Sequence, residues 1–215
     1  MSILFPSHDQ GGDGDGYPNA GKLYEQRFWQ AGKNGLWGSV SDLYRSYDRT
    51  LTGASSSIYK TIGFGPVDSV SWIDAAVRLA IGIQSDEIPV RSSSFGEPLT
   101  QDNTNLRPGP EEGAAAVLPV RKKSRLYYVQ RSARKVLEMS YAGGTDGHAI
   151  RDLMALNQGL ADSDIEELAV LGQPETRIIS RLAGGDARIL LIDVVEDVLG
   201  WSQPDRDWET LIEGH

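Results

Sequence analysis

Apolar residues recur at helical spacing along much of the first third of the chain. In "SVSDLYRSYDRTL", Val40, Leu43, Tyr44, Tyr47 and Leu51 fall at i, i+3, i+4, i+7 and i+11, and Ser39 or Ser41 is placed to cap the start. "DSVSWIDAAVRLAIGI" repeats the pattern with Val70, Ile73, Val77, Ala80 and Ile81 behind Asp68 or Ser69. "GKLYEQRFWQAG" sets Leu23, Phe28 and Trp29 near the same spacing, with Gly32 as a stop. These stretches predict a helical region over residues 22–84. Its aromatic side chains exceed what one short helix buries by itself. Phe28, Trp29, Tyr44, Tyr47 and Trp72, with Trp201 further on, are candidates either for packing within the chain or for contact with a partner, since aromatic residues are enriched at interfaces.

The pattern fades over residues 85–120, which are rich in proline and lack periodicity. They read as an extended linker between two separately organised halves, or as an arm that wraps neighbours and orders on assembly. Order returns at "RLYYVQR" (Arg125–Arg131), whose aromatic and β-branched residues predict a strand. Ser132 then caps a helix, "ARKVLEMSYA", with Val136, Leu137, Met139 and Tyr141 on its apolar side. "GGTDG" breaks it, and Asp146 caps a second helix, "HAIRDLMALNQG". Ile150, Leu153, Met154 and Leu156 form that helix's stripe, and Asn157 and Gly159 suit its end. "ETRIISRL", with Ile178, Ile179 and Leu182, predicts a closing strand. "RIISRLAGGDARILLIDVV" reads as a hairpin turning at Gly184–Asp186, while "ILLIDVVEDVLGW" reads equally as a buried helix. The expected fold class is α+β: a flexible arm (1–21), the helical region (22–84), the extended linker (85–120), a βααβ module (121–182) and an apolar tail (183–215) that is a hairpin or a helix.

Composition narrows the chemistry. The formal net charge of −9 disfavours general binding to nucleic-acid phosphates. "RKKSR" (Arg121–Arg125) is short and lacks interleaved aromatics, so it reads as a strand entrance or a contact to an acidic neighbour. There are no cysteines, and the histidines are His8, His148 and His215, which argues against thiolate or multi-histidine metal sites and against a His-dependent triad. "GGDGDG" offers Asp13 and Asp15 at alternate positions, but Tyr17 and Pro18 interrupt the calcium-loop pattern, leaving a flexible arm. No P-loop, dinucleotide fingerprint or nucleophile elbow is present. The acids Asp162 with Asp164, Glu166 with Glu167, and Asp193 with Glu196 and Asp197 read as solvated, and His148 beside Asp146 as a helix start. No enzyme, cofactor or metal is expected. "MSILFPSHDQ" has no secretory pattern, and runs such as "AAVRLAIGI" fall short of the roughly 20 residues a membrane span needs.

The segment Arg125–Leu182 resembles a LysM-type module. An opening "YYVQ" strand, two short helices, "RDLMALN" ending at Asn157, a "LGQP" turn and a closing strand follow that family's order. Such modules occur in peptidoglycan-binding proteins and in tail and baseplate proteins of phages and contractile injection machines. The resemblance implies either a carbohydrate-binding protein that reads cell-wall glycans or an adaptor that holds neighbouring subunits together. The aromatic N-terminal part and the wrapping segment match the second context. The expectation is a non-enzymatic structural protein of a phage tail, baseplate or related particle. It would reside in the virion after assembly in the host cytoplasm. Its partners would be other structural proteins, with peptidoglycan as the alternative ligand.

Overall fold

A computed structural model describes residues 18–32, 35–63, 69–93, 96–107, 109, 111–142, 147–157, 159–173, 175–193 and 198–204. Those residues form sixteen strands in four antiparallel sheets and no helix, so the chain is all-β and the expected α+β class is overturned. Each sheet is a meander whose strands neighbour in chain order. The first holds β1 (Ala20–Tyr24), β2 (Arg27–Ala31), β3 (Gly35–Gly38) and β4 (Ile58–Thr61). The second holds β5 (Val70–Ala75), β6 (Leu79–Ile83), β7 (Glu87–Arg91) and β8 (Asn105–Leu106). The third holds β9 (Val120–Lys122), β10 (Arg125–Val129), β11 (Val136–Ala142) and β12 (Gly147–Asp152). The fourth holds β13 (Ile165–Leu171), β14 (Thr176–Leu182), β15 (Ala187–Asp193) and β16 (Val198–Ser202).

The helical spacing of the N-terminal part has two sources, neither of them a helix. A register shift between Val70 and Trp72 in β5 turns Val70 and Ile73 to the same face, although three positions separate them. Val77 then lies in the turn before β6. Val40 and Leu43 instead close a tight turn, with the Leu43 N–H donating to Val40 O at 3.1 Å, and Leu43, Tyr44 and Leu51 are exposed rather than on a buried stripe.

The two helices expected in 132–159 are also strands. β11 pairs with β10 through Leu126↔Met139 and with β12 through Met139↔Ile150. Both faces of β11 are covered: Leu137 and Met139 enter one core and Val136 another. Burial on both faces removes the alternation that marks a half-buried strand and leaves an apolar run that passes for a helix. Ala133 adopts φ 56° in the β10–β11 turn, and the Ser132 hydroxyl accepts the Arg134 N–H there at 3.4 Å instead of capping a helix. The 85–120 stretch is no free linker: it supplies β7 and β8 and begins β9, and the Ala114 N–H donates to Ile83 O at 2.8 Å while the Ala115 N–H donates to Val129 O at 2.9 Å. For the tail, the strand alternative is the one adopted, with β14 and β15 joined through Gly184 and Gly185 at φ 104° and 96°.

Three cores bind the sheets in chain order. Trp29, Leu36 and Ile58 meet Ile73, Leu79 and Ile81 between the first and second. Trp72 and Ala80 meet Leu126, Tyr128, Leu137 and Met139 between the second and third. Tyr127, Val129 and Val136 meet Leu168, Ile178 and Leu190 between the third and fourth. β1 lies against β5 and β9 against β13, so first strands of neighbouring sheets run together. Stacked four-stranded meanders of this kind are the building unit of radially repeating β folds. Among the described residues, no core cluster joins the fourth sheet to the first.

Candidate functional site

The stack ends in two outer faces. On the fourth sheet, strand register places Ala169, Ile179 and Ile189 in one row and Leu171, Arg177 and Leu191 in another. The intervening row is Val170, Ile178 and Leu190, of which Ile178 and Leu190 enter the core. Side chains alternate across a strand, so the first two rows share the outward side. Leu171 is 49% exposed, and Ile179, Ile189 and Leu191 are half-buried. Ion pairs lie beside and within these rows: Arg181 pairs with Glu166 at 2.7 Å and Glu167 at 3.1 Å, and Arg177, between Leu171 and Leu191, pairs with Glu175 at 3.1 Å. These exposed pairs contribute little to stability.

On the first sheet the outer rows are Leu23↔Phe28 and Gln30↔Trp37↔Tyr59. The connection between β3 and β4 folds over part of this side. The Tyr47 hydroxyl donates to Phe28 O at 3.2 Å, and the Arg49 guanidinium sits 4.3 Å from the Tyr59 ring centroid. Burial pushes the Tyr47 hydroxyl well above its usual pKa. Arg27, itself buried, anchors the connection by donating to Ser39 O and Ser56 O at 2.6 Å each and to Ala54 O at 2.5 Å. Leu23 (61% exposed), Leu43 (55%) and Tyr44 (46%) stay open to solvent.

The six aromatic candidates divide. Phe28, Tyr44 and Tyr47 come together on or beside the outer side of the first sheet. Trp29 and Trp72 are wholly buried in inter-sheet cores, and Trp201 packs on the core of the third and fourth sheets with its indole N–H donating to Leu153 O at 2.8 Å. The open row of the fourth sheet escaped the sequence reading, although "RIIS" and "RILLI" carry apolar residues at both strand parities, the signal for a strand with two apolar faces.

Polar chemistry is spent internally. The basic run is a hairpin: Arg121 donates to Ala75 O at 2.8 Å, Lys122 to Gly172 O at 3.2 Å, and Arg125 pairs with Glu138 at 2.7 Å. Asp164 pairs with Arg134 at 2.8 Å and Asp162 with the buried Arg188 at 3.4 Å. His148 lies edge-on to Tyr141, their ring centroids 6.3 Å apart. The Asp13/Asp15 arm, Asp146, Glu196, Asp197, His8 and His215 fall outside the described residues. Among the described residues no group of three or more His, Cys, Asp or Glu is placed to hold a metal ion, and no helix is long and apolar enough to cross a membrane. No family model matches the chain, and no curated protein matches it.

Proposed function

We propose that the chain is a structural adaptor of a phage tail, baseplate or related injection particle, joining neighbouring subunits through its outer faces. The observation that carries this reading is the outward side of the fourth sheet, where Ala169, Leu171, Ile179, Ile189 and Leu191 surround Arg177 and belong to no core cluster among the described residues, at the end of a stack with three inter-sheet cores. Contiguous apolar surface on a folded block marks contact with another macromolecule. Catalysis needs acids or bases converging on a cleft with separated pKa values. Asp164, Glu166 and Glu167 are instead engaged in ion pairs and Asp48 in a turn.

Mass spectrometry of tail particles purified from the source, with antibody labelling in electron micrographs, tests this. The chain is expected in washed particles at fixed stoichiometry. Its absence from them would sink the adaptor reading. Cosedimentation with insoluble peptidoglycan would move the assignment to the glycan-binding alternative.

A further inference from the structure

Residues 111–115 lie where the chain passes from the second sheet to the third, and they bond to both. Toward the second sheet, the Glu111 N–H donates to Asp86 Oδ1 at 3.2 Å and the Ala114 N–H to Ile83 O at 2.8 Å, while Ala114 O accepts the Ser71 hydroxyl at 2.8 Å. Toward the third, the Ala115 N–H donates to Val129 O at 2.9 Å, Gly113 O accepts the Arg131 N–H at 3.0 Å, and Glu112 Oε2 accepts a Gln130 Nε2 proton at 2.7 Å. The segment is a strap stitched across the seam. Its backbone is held under strain. Glu111 has φ 65°, a left-handed conformation unfavourable for a residue with a side chain, and a Cβ at Gly113 (φ 72°) would run into Gln84 O. Such a conformation persists only while its surroundings hold it.

The Glu87 carboxyl lies under this strap, with no exposed surface, and the Glu112 backbone N–H faces it. β5 and β6 meet it with Trp72 and Gly82 in one register row, and β10 with the Tyr128 hydroxyl, which donates to Oε1 at 2.9 Å. Among the described residues the charges that act on it are carboxylates, Asp86 on its own turn and Glu112 on the strap. Lys135 of the third sheet attracts Glu112 but pairs with Asp152 at 2.9 Å, and the Arg131 side chain lies against Gly113. Glu87 Oε2 and Trp72 Nε1 have no hydrogen-bond partner among the described residues. This enclosure suits a neutral carboxyl. An ionised one adds a third negative charge beside Asp86 and Glu112 and leaves an oxygen unsolvated. Trp72, Ala80, Leu126, Leu137 and Met139 close the core side, whereas Glu111 is exposed and Glu112 half-buried, so solvent lies just beyond the strap.

We propose that residues 111–115 are a proton-controlled clasp between the second and third sheets, closed while Glu87 carries its proton and released when Glu87 loses it. Release lets water reach the carboxylate and separates Glu112 from it. Burial lifts the Glu87 pKa to about 7 against the pull of the Tyr128 hydroxyl, so the clasp responds near neutrality. A pKa raised by closure means that closure is favoured at low pH and weakens as pH rises through about 7. The clasp works within a single chain and stands apart from the adaptor reading.

Hydrogen–deuterium exchange of the full chain, read by mass spectrometry at pH 5 and pH 8, tests this with Glu87→Gln and Glu112→Gln. Comparing proteins at one pH cancels the intrinsic pH dependence of exchange. At pH 5, peptides covering 111–115 should be equally protected in the wild type and Glu87→Gln. At pH 8 they should exchange at least tenfold faster in the wild type, while peptides from β2 and β14 exchange alike in both. Glu112→Gln keeps an acceptor for Gln130 and relieves part of the repulsion, so its strap at pH 8 should exchange more slowly than the wild type's. If Glu87→Gln fails to fold, that second comparison decides. Strap exchange at pH 8 that is the same in the wild type and the folded variants overturns the clasp. So does a wild-type loss spread evenly over β2, β10 and β14, which would make Glu87 a support of the whole fold.

Discussion

The Tyr128 hydroxyl donates to Glu87 Oε1 at 2.9 Å across the core between the second and third sheets. Glu87 has no exposed surface, and its other oxygen, Oε2, has no hydrogen-bond partner. Burial pushes its pKa up to about 7; the Tyr128 hydrogen bond pulls the other way, and nearby Asp86 and Glu112 add to the rise. Burial and the same carboxylate hold the Tyr128 hydroxyl above its usual range.

The pH consequence has a definite sign. A carboxyl whose pKa is raised on folding binds its proton more tightly in the native state. Stability is therefore full below the ordinary glutamate value and falls as pH rises toward 7, the opposite of an ion-paired carboxylate. The span from the ordinary glutamate value of 4.5 to about 7 corresponds to roughly 3 kcal/mol. Urea midpoints measured from pH 5 to pH 8 should decline for the wild type. Glu87→Gln keeps an acceptor for Tyr128 but cannot ionise, so its midpoints should be flat over that window. A wild-type profile equally flat would refute a buried neutral Glu87.

Trp72 and Glu87 stand on either side of Gly82 in one register row. A Cβ at Gly82 would lie 2.6 Å from Trp72 Nε1, inside contact distance, so the indole lies over the space a side chain would take. Gly82→Ala should overpack this core and cost about 1–3 kcal/mol. The double variant with Trp72→Leu should show a cost for the added methyl smaller by more than 1 kcal/mol, because the clashing ring is gone. Chemical denaturation of the four proteins in the cycle measures this. Additive losses would mean that Gly82 is required for some reason other than the indole.

What could be read from sequence depended on how local the determinant is. Arg125–Val129 and Thr176–Leu182 announce themselves as strands because their β-branched and aromatic residues act locally, and Gly184–Gly185 offers a hairpin because two left-handed positions favour glycine, although the apolar run after it reads equally as a helix. The β1–β2 hairpin is silent: its turn residues, Glu25 and Gln26, adopt φ 46° and 59° without the glycine or asparagine that usually marks such a turn. The acid side chain compensates through a tertiary contact, Glu25 Oε2 accepting the Leu99 N–H at 2.9 Å, which spans 74 positions and leaves no local trace. Phe28 and Tyr44 stood out as aromatic residues that either pack within the chain or meet a partner. Ile179 and Ile189 did not, because which side of a sheet lies open is decided by the number of sheets stacked on it.

Arg27 is the residue on which the outer side of the first sheet depends. Its guanidinium is buried, its pKa is lowered by desolvation, and the groups it donates to are the carbonyls of Ser39, Ala54 and Ser56, with Ser55 O further off at 3.4 Å. Arginine stays charged at any ordinary pH, so those carbonyl dipoles are what keep a cation in that position. Lysine has the charge but not the planar fork and reaches fewer of them. Arg27→Lys should therefore leave buried carbonyls unpaired and cost about 3 kcal/mol. The loss is local first, because these carbonyls lie at the two ends of the β3–β4 connection. Trypsin should then cut after the exposed Arg45 and Arg49 at least tenfold faster than in the wild type, before the other sheets unfold. Mapping the first cleavage sites by mass spectrometry decides the matter: early cuts elsewhere in the chain would show that Arg27 supports the whole fold and not this connection.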